Sequence, residues 1–148
     1  MGRGAARNLN GGCFNNFFGS FSGYNSVSGS KNIYFGSFTG ISCTQSYKIV
    51  IGSGRDFSDR FDSPDTTKDT QFAVGIRTSG APSSYWLVGD ENFNIGIGTT
   101  NPTSKLTVQG DVSVGINTST GVILTSPNGT KYRLIVDDLG ALSTVSIP

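Results

Sequence analysis

The chain has no histidine, a single glutamate (Glu91), one methionine, one tryptophan and two cysteines. Without histidine, neither a Ser-His-Asp nor a Cys-His nucleophile can be assembled. A glycosidase needs two carboxylates across a sugar. The adjacent Asp90 and Glu91 would diverge on a strand, so only a pairing between chains would serve. Charge is scarce too: 14% of residues are charged, the net charge is +1, and the lysines and arginines are scattered. That leaves no electrostatic footprint for nucleic acid or an anionic membrane surface. No apolar run approaches the ~18 residues of a membrane span, so no membrane insertion is expected. MGRGAARNL has basic residues but no apolar stretch after it, so it does not read as a secretory signal. Cys13 and Cys43 lack CxxC spacing and are read as small buried thiols rather than a disulfide or metal pair. No cofactor and no catalytic, cofactor-binding or metal site residue is expected.

Glycine, by contrast, is abundant, at 21 residues, with serine, threonine and asparagine supplying much of the remainder. Ten phenylalanines and five tyrosines argue against disorder, and the shortage of helix formers argues against helices. Residues 1–12 read as a flexible N-terminal attachment arm.

The glycines mark a repeat. Asn15-Asn16-Phe17-Phe18-Gly19-Ser20-Phe21-Ser22-Gly23 returns 17 residues later as Asn32-Ile33-Tyr34-Phe35-Gly36-Ser37-Phe38-Thr39-Gly40. Lys48-Ile49-Val50-Ile51-Gly52 follows, then Phe72-Ala73-Val74-Gly75 and Trp86-Leu87-Val88-Gly89. Each unit is a short apolar strand closed by glycine. Such a strand cannot bury its own face and needs copies stacked above and below. The expected architecture is all-β: a β-roll or β-helix-like shaft of glycine-terminated rungs over residues 13–114. A handful of rungs gives a thin core with much surface, which parallel association of identical chains would remedy.

Between Gly54 and Phe72, the residues Asp56, Asp59, Asp62 and Asp65 recur every third position, with Arg55 just before them and Arg60 among them. The spacing does not fit a calcium loop, which places acids at alternate positions with a central glycine and a terminal glutamate. A self-paired surface loop is expected. Gly29-Ser30-Lys31 lacks the order of a phosphate loop. Gly96-Ile97-Gly98 is followed by Thr99-Thr100-Asn101-Pro102, with no third glycine and no helix, so it is not a nucleotide loop.

That last segment carries a resemblance. Asn94-Ile95-Gly96-Ile97-Gly98-Thr99-Thr100-Asn101-Pro102, continued by Ser104-Lys105-Leu106-Thr107-Val108-Gln109-Gly110-Asp111-Val112, resembles a segment of bacteriophage tail-fibre and related virion fibre proteins, particularly those of cyanophages. Thr70–Gly75 and Tyr85–Asp90 resemble the same proteins. The early glycine units are similar to the rungs of trimeric adhesin heads and phage fibre shafts. The likeness spans roughly Asn15 to Val114. It implies a parallel homotrimer in the virion, made in the host cytoplasm, with other tail, baseplate or capsid proteins and a host-surface glycan as partners. It implies a non-enzymatic structural protein, a short fibre or spike for host attachment. The alternatives are a glycan-binding or glycan-degrading receptor-binding trimer, and a capsid decoration fibre.

Residues 115–148 read differently. Val122–Thr125, Lys131–Val136 and Ala141–Val145 are strand-like and separated by turns, one of them Asn128-Gly129; Asn-Gly between such runs is a hairpin signal. A small C-terminal antiparallel β module is expected, capping the shaft or serving as a tip or foot.

Overall fold

The computed structural model describes residues 2–69, 71–114 and 121–147, and these are all-β with no helix. They divide into two compact units, Met1–Gly110 and Asp111–Pro148. The sequence boundary at 114/115 adjoins residues 115–120, which lie outside the described residues.

The first unit holds a seven-stranded sheet in chain order: β1 (Asn16–Phe18), β2 (Ile33–Phe35), β3 (Ile49–Ser53), β4 (Phe72–Ile76), β5 (Ser84–Gly89), β6 (Ile95–Ile97) and β7 (Leu106–Val108). The first four strands are parallel and in register, with Phe17, Tyr34, Val50 and Ala73 as partners in one row. These inward residues join Cys43 and Phe61 in one buried cluster. The Phe17 and Tyr34 rings stack at 5.2 Å.

Two features of the repeat make this stacking possible. The glycine that closes each strand sits against the next rung's backbone: a Cβ on Gly36 would lie 1.5 Å from the Gly52 carbonyl oxygen, and its φ is +128°. The second glycine of each unit lies against its own aromatic, so that a Cβ on Gly40 would fall 2.1 Å from the Tyr34 ring. Glycine is thus the only residue that lets rungs approach and inward rings lie flat. At the corners, the asparagine before each strand ties two rungs together. Asn15 Oδ1 accepts the Asn32 N–H (2.9 Å), and Asn32 Oδ1 accepts the Lys48 N–H (2.9 Å).

Residues 2–9, within the segment read as an arm, are hydrogen-bonded to the rung that follows. Ala6 N–H donates to Ser22 O, and Phe21 N–H to Arg3 O, each at 2.9 Å. They are thus tied to the first unit by backbone pairing.

The repeat ends sooner than the glycine pattern predicts. Trp86-Leu87-Val88-Gly89 belongs to β5, which runs antiparallel to β4. Residues 77–83 join the two strands as a hairpin. The register slips at Val74/Gly75, leaving Trp86 as the extra residue of a bulge. The bulge turns Tyr85 towards the core, where its ring lies 5.4 Å from Phe61. β6 pairs antiparallel with β5 and parallel with β7. The Gly98-Thr99-Thr100-Asn101-Pro102 segment is the short crossover between β6 and β7.

The second unit is a meander of β8 (Ile123–Thr125), β9 (Lys131–Val136) and β10 (Leu142–Ile147), in the order β10-β9-β8. Its turns match the sequence: Asn128-Gly129 sits in one, and Asp137 Oδ1 closes the other by accepting the Leu139 and Ala141 N–H groups. None of residues 121–147 is buried. A unit this small without a buried residue lies below the size at which a domain sustains its own core. No helix among the described residues is long and apolar enough to cross a membrane.

The glycine column yields a paired test. Gly36→Ala should destabilise the protein by about 4 kcal/mol or more, the range of severe backbone clashes. Gly80→Ala, at φ +66° with nothing within 4 Å of the added carbon, should cost only about 1–2 kcal/mol. Urea unfolding of both variants measures the difference, and equal losses would contradict the stacking account.

Candidate functional site

Strands alternate their side chains between faces, so a sheet whose inner row is Phe17, Tyr34, Val50, Ala73 and Val88 must present two other rows outside. One runs Ile33, Ile49, Phe72 and, beyond Gly89, Ile95 and Leu106. The other runs Phe18, Phe35, Ile51, Val74 and Leu87, with Ile97 and Val108 paired further along. Both rows are apolar almost throughout. Phe35 is 57% exposed, Phe18 51% and Leu106 60%. Among the described residues, eight hydrophobic side chains are buried and twenty-five large ones are exposed. Scattered exposed apolar residues are ordinary, but a contiguous sheet face of them marks an interaction surface.

The second notable site is the long rung between β3 and β4. The strand-to-strand spacing is 17 and then 16 residues for the first rungs, but 23 from Ile49 to Phe72. Lys48 occupies the column position held by Asn15 and Asn32 in the earlier rungs. It is fully buried, and its Nζ donates to Ser63 Oγ (2.8 Å) and to the Asp65 carbonyl (3.2 Å). Asp62 is 7% exposed. Burial pushes its carboxyl above the ordinary range, partly offset by the Lys48 ammonium and the Ser63 N–H. Tyr85 Oη donates to the Asp62 carbonyl at 2.9 Å. Above Lys48, Gln71 Oε1 is buried and finds no partner: the next strand is antiparallel and delivers no amide of the kind that Asn15 and Asn32 receive.

The four aspartates do not converge. Asp56 caps the Ser58 and Asp59 amides, and Asp65 holds the Thr67 amide and hydroxyl. Asp59 pairs with Arg77 at 3.5 Å, and Asp62, largely withdrawn from solvent, accepts the Ser63 amide through Oδ1. No group of three or more metal-ligating side chains exists among the described residues. Asp90 and Glu91 also part: Asp90 caps the Asn92 and Asn94 amides, and Glu91 pairs with Lys68 at 2.8 Å. The Lys48–Ser63 contact has the separation of a base and a nucleophile. Here, though, the ammonium donates to the hydroxyl, and both residues are sealed from solvent.

The cysteines are both free. Cys43 is buried as expected and accepts the Tyr34 hydroxyl at 2.8 Å, with burial pushing both groups upward. Cys13 is exposed, contrary to the expectation of a buried thiol, because it lies at the corner beneath Ser30 rather than on an inward row.

No known protein family, no characterised protein and no solved structure matches the chain.

A pH test follows from Asp62. A carboxyl whose folded pKa is raised holds its proton more tightly when folded, so its contribution to stability falls as pH rises from its ordinary value. Asp56 and Asp65, held low by their hydrogen bonds, act only below that range. Between about pH 4 and about pH 7, the melting temperature should therefore fall, and it should fall less in Asp62→Asn. Parallel profiles of the two proteins would contradict the assignment.

Proposed function

We propose that this chain is a non-enzymatic structural protein of a phage virion, a short homotrimeric fibre or spike that joins the particle to the host surface. The observation that supports it most is the double apolar row on the outer face of the first unit's sheet. A face of phenylalanine, isoleucine and leucine side chains, each worth ~1.5–3 kcal/mol when fully buried, is stable in water only when covered. Three copies turned face to face around one axis would supply a shared core to a solenoid whose own core is thin. The number three comes from the likeness to phage fibre and adhesin rungs, not from the sheet itself. The second unit, with no buried residue among those described, has the same need for a covering partner.

The non-enzymatic reading is supported by the missing histidine and by the separate local partners of Asp90 and Glu91. Three weak contacts per particle attachment would multiply into useful avidity at a cell surface. Glycan binding on the same trimer is the second reading, favoured by grooves beside the long rung; a capsid decoration fibre differs only in location.

Phe35→Asp tests this directly. A carboxylate in the centre of a covered apolar face is an unpaired buried charge, so sedimentation velocity should show dissociation or aggregation, while Thr103→Asp on the exposed crossover should leave the assembly intact. A Phe35→Asp protein that sediments like wild type would remove the face from the interface.

A further inference from the structure

The long rung is the one departure from an otherwise regular parallel stack, and it contains two charged groups withdrawn from water. In a solenoid, extra residues in one rung form loops on one face, often the face that binds. A buried lysine and a buried aspartate are costly without a good partner, and Lys48 is satisfied by Ser63 and Asp65. Asp62 is satisfied only in part. Its Oδ1 accepts from the Ser63 amide (2.7 Å) and hydroxyl (3.5 Å), while Oδ2 accepts no hydrogen bond from any described residue.

Asp62 lines two grooves of this unit. One, of about 350 Å³, also has Arg60, Ser58 and Tyr85 in its wall; the other, of about 280 Å³, has Arg60, Thr66 and Gln45. We propose that these grooves form a binding site for one pyranose ring of a neutral glycan, its hydroxyls donating to Asp62 and accepting from Arg60.

The chemistry of the walls selects the ligand class. A carboxylate only accepts hydrogen bonds and a guanidinium only donates them. A hydroxyl does both, so adjacent sugar hydroxyls satisfy the pair together. A cation meets Arg60 and the nearby Lys48 ammonium, and an anion meets Asp62. Metal coordination has a single carboxylate to work with. The volumes lie at the small end for ligand sites, about 300 Å³ and upward, which fits one ring rather than an extended chain. This site gives the adhesive reading above its ligand, and rests on it for a biological setting.

The test uses the full-length protein and saturation-transfer NMR with the methyl glycosides of glucose, galactose, mannose and rhamnose; glucuronate and ethylammonium are the charged comparators. At least one neutral glycoside should receive saturation. Arg60→Ala and Asp62→Asn should each weaken it about tenfold or more, the loss expected for a hydrogen bond to a charged group. Circular dichroism on the same samples checks folding. Should Asp62→Asn fail to fold, Arg60→Ala decides, because Arg60 is exposed. Silence from all four glycosides, unchanged binding in Arg60→Ala, or preference for a charged comparator overturns the site. Light scattering on these samples separates the two ideas: a trimer that binds no sugar overturns only this site, and a sugar-binding monomer overturns only the trimer.

Discussion

A three-residue strand has room for one inward side chain, and every other property of the first unit follows from that limit. With Phe17, Tyr34, Val50 and Ala73 as the only inward side chains of β1 to β4, Gly52 and Gly75 adding none, the rungs must stack closely enough for single side chains to form a continuous core. The closing glycines permit that approach, and the Asn15 and Asn32 side chains hold the register where the chain turns. The same limit places two outward residues on β1 and β2 for every inward one. When those outward residues are apolar, as most are from Ile33 to Leu106, the unit has more large hydrophobic side chains exposed than buried among its described residues.

This inversion links the fold to its proposed role. A monomeric domain hides its apolar residues; this unit hides a narrow strip and displays a broad one. The C-terminal meander repeats the imbalance, since its cross-strand pairs leave Leu124, Leu134, Leu142 and Val145 exposed. Both units thus present apolar faces that the proposed association would cover. The Lys48 and Asp62 cluster is a different kind of departure, because it introduces charge where the earlier rungs have an asparagine. Its position coincides with the extra residues of the long rung, which suits a local function added to a structural repeat.

Much of this was legible in the sequence. The glycine-closed units marked β1 to β4 as strands stacked in chain order, because spacing of 16–17 residues between the first three and positions that only glycine can occupy are direct physical signals. The tail's hairpin was legible from Asn128-Gly129. The return of β5 was missed: Trp86–Gly89 resembles a rung in composition, and nothing in its residues marks the antiparallel pairing with β4 or the bulge at Trp86. Residues 2–9 were missed because Gly4, Ala6 and Asn8 lack the aromatic partner of later rungs, although Ala6 matches the left-handed turn position of Gly23 and Gly40. The buried Asp62 was not visible among four evenly spaced aspartates; its burial depends on the lysine that replaces the ladder asparagine and on the bulge that brings in Tyr85.

The solution mass of the purified protein, measured by multi-angle light scattering with circular dichroism on the same sample, tests the central claim most directly. The account predicts three times 15.5 kDa with a β spectrum. A stable, folded monomer with its outer sheet face in water would contradict it.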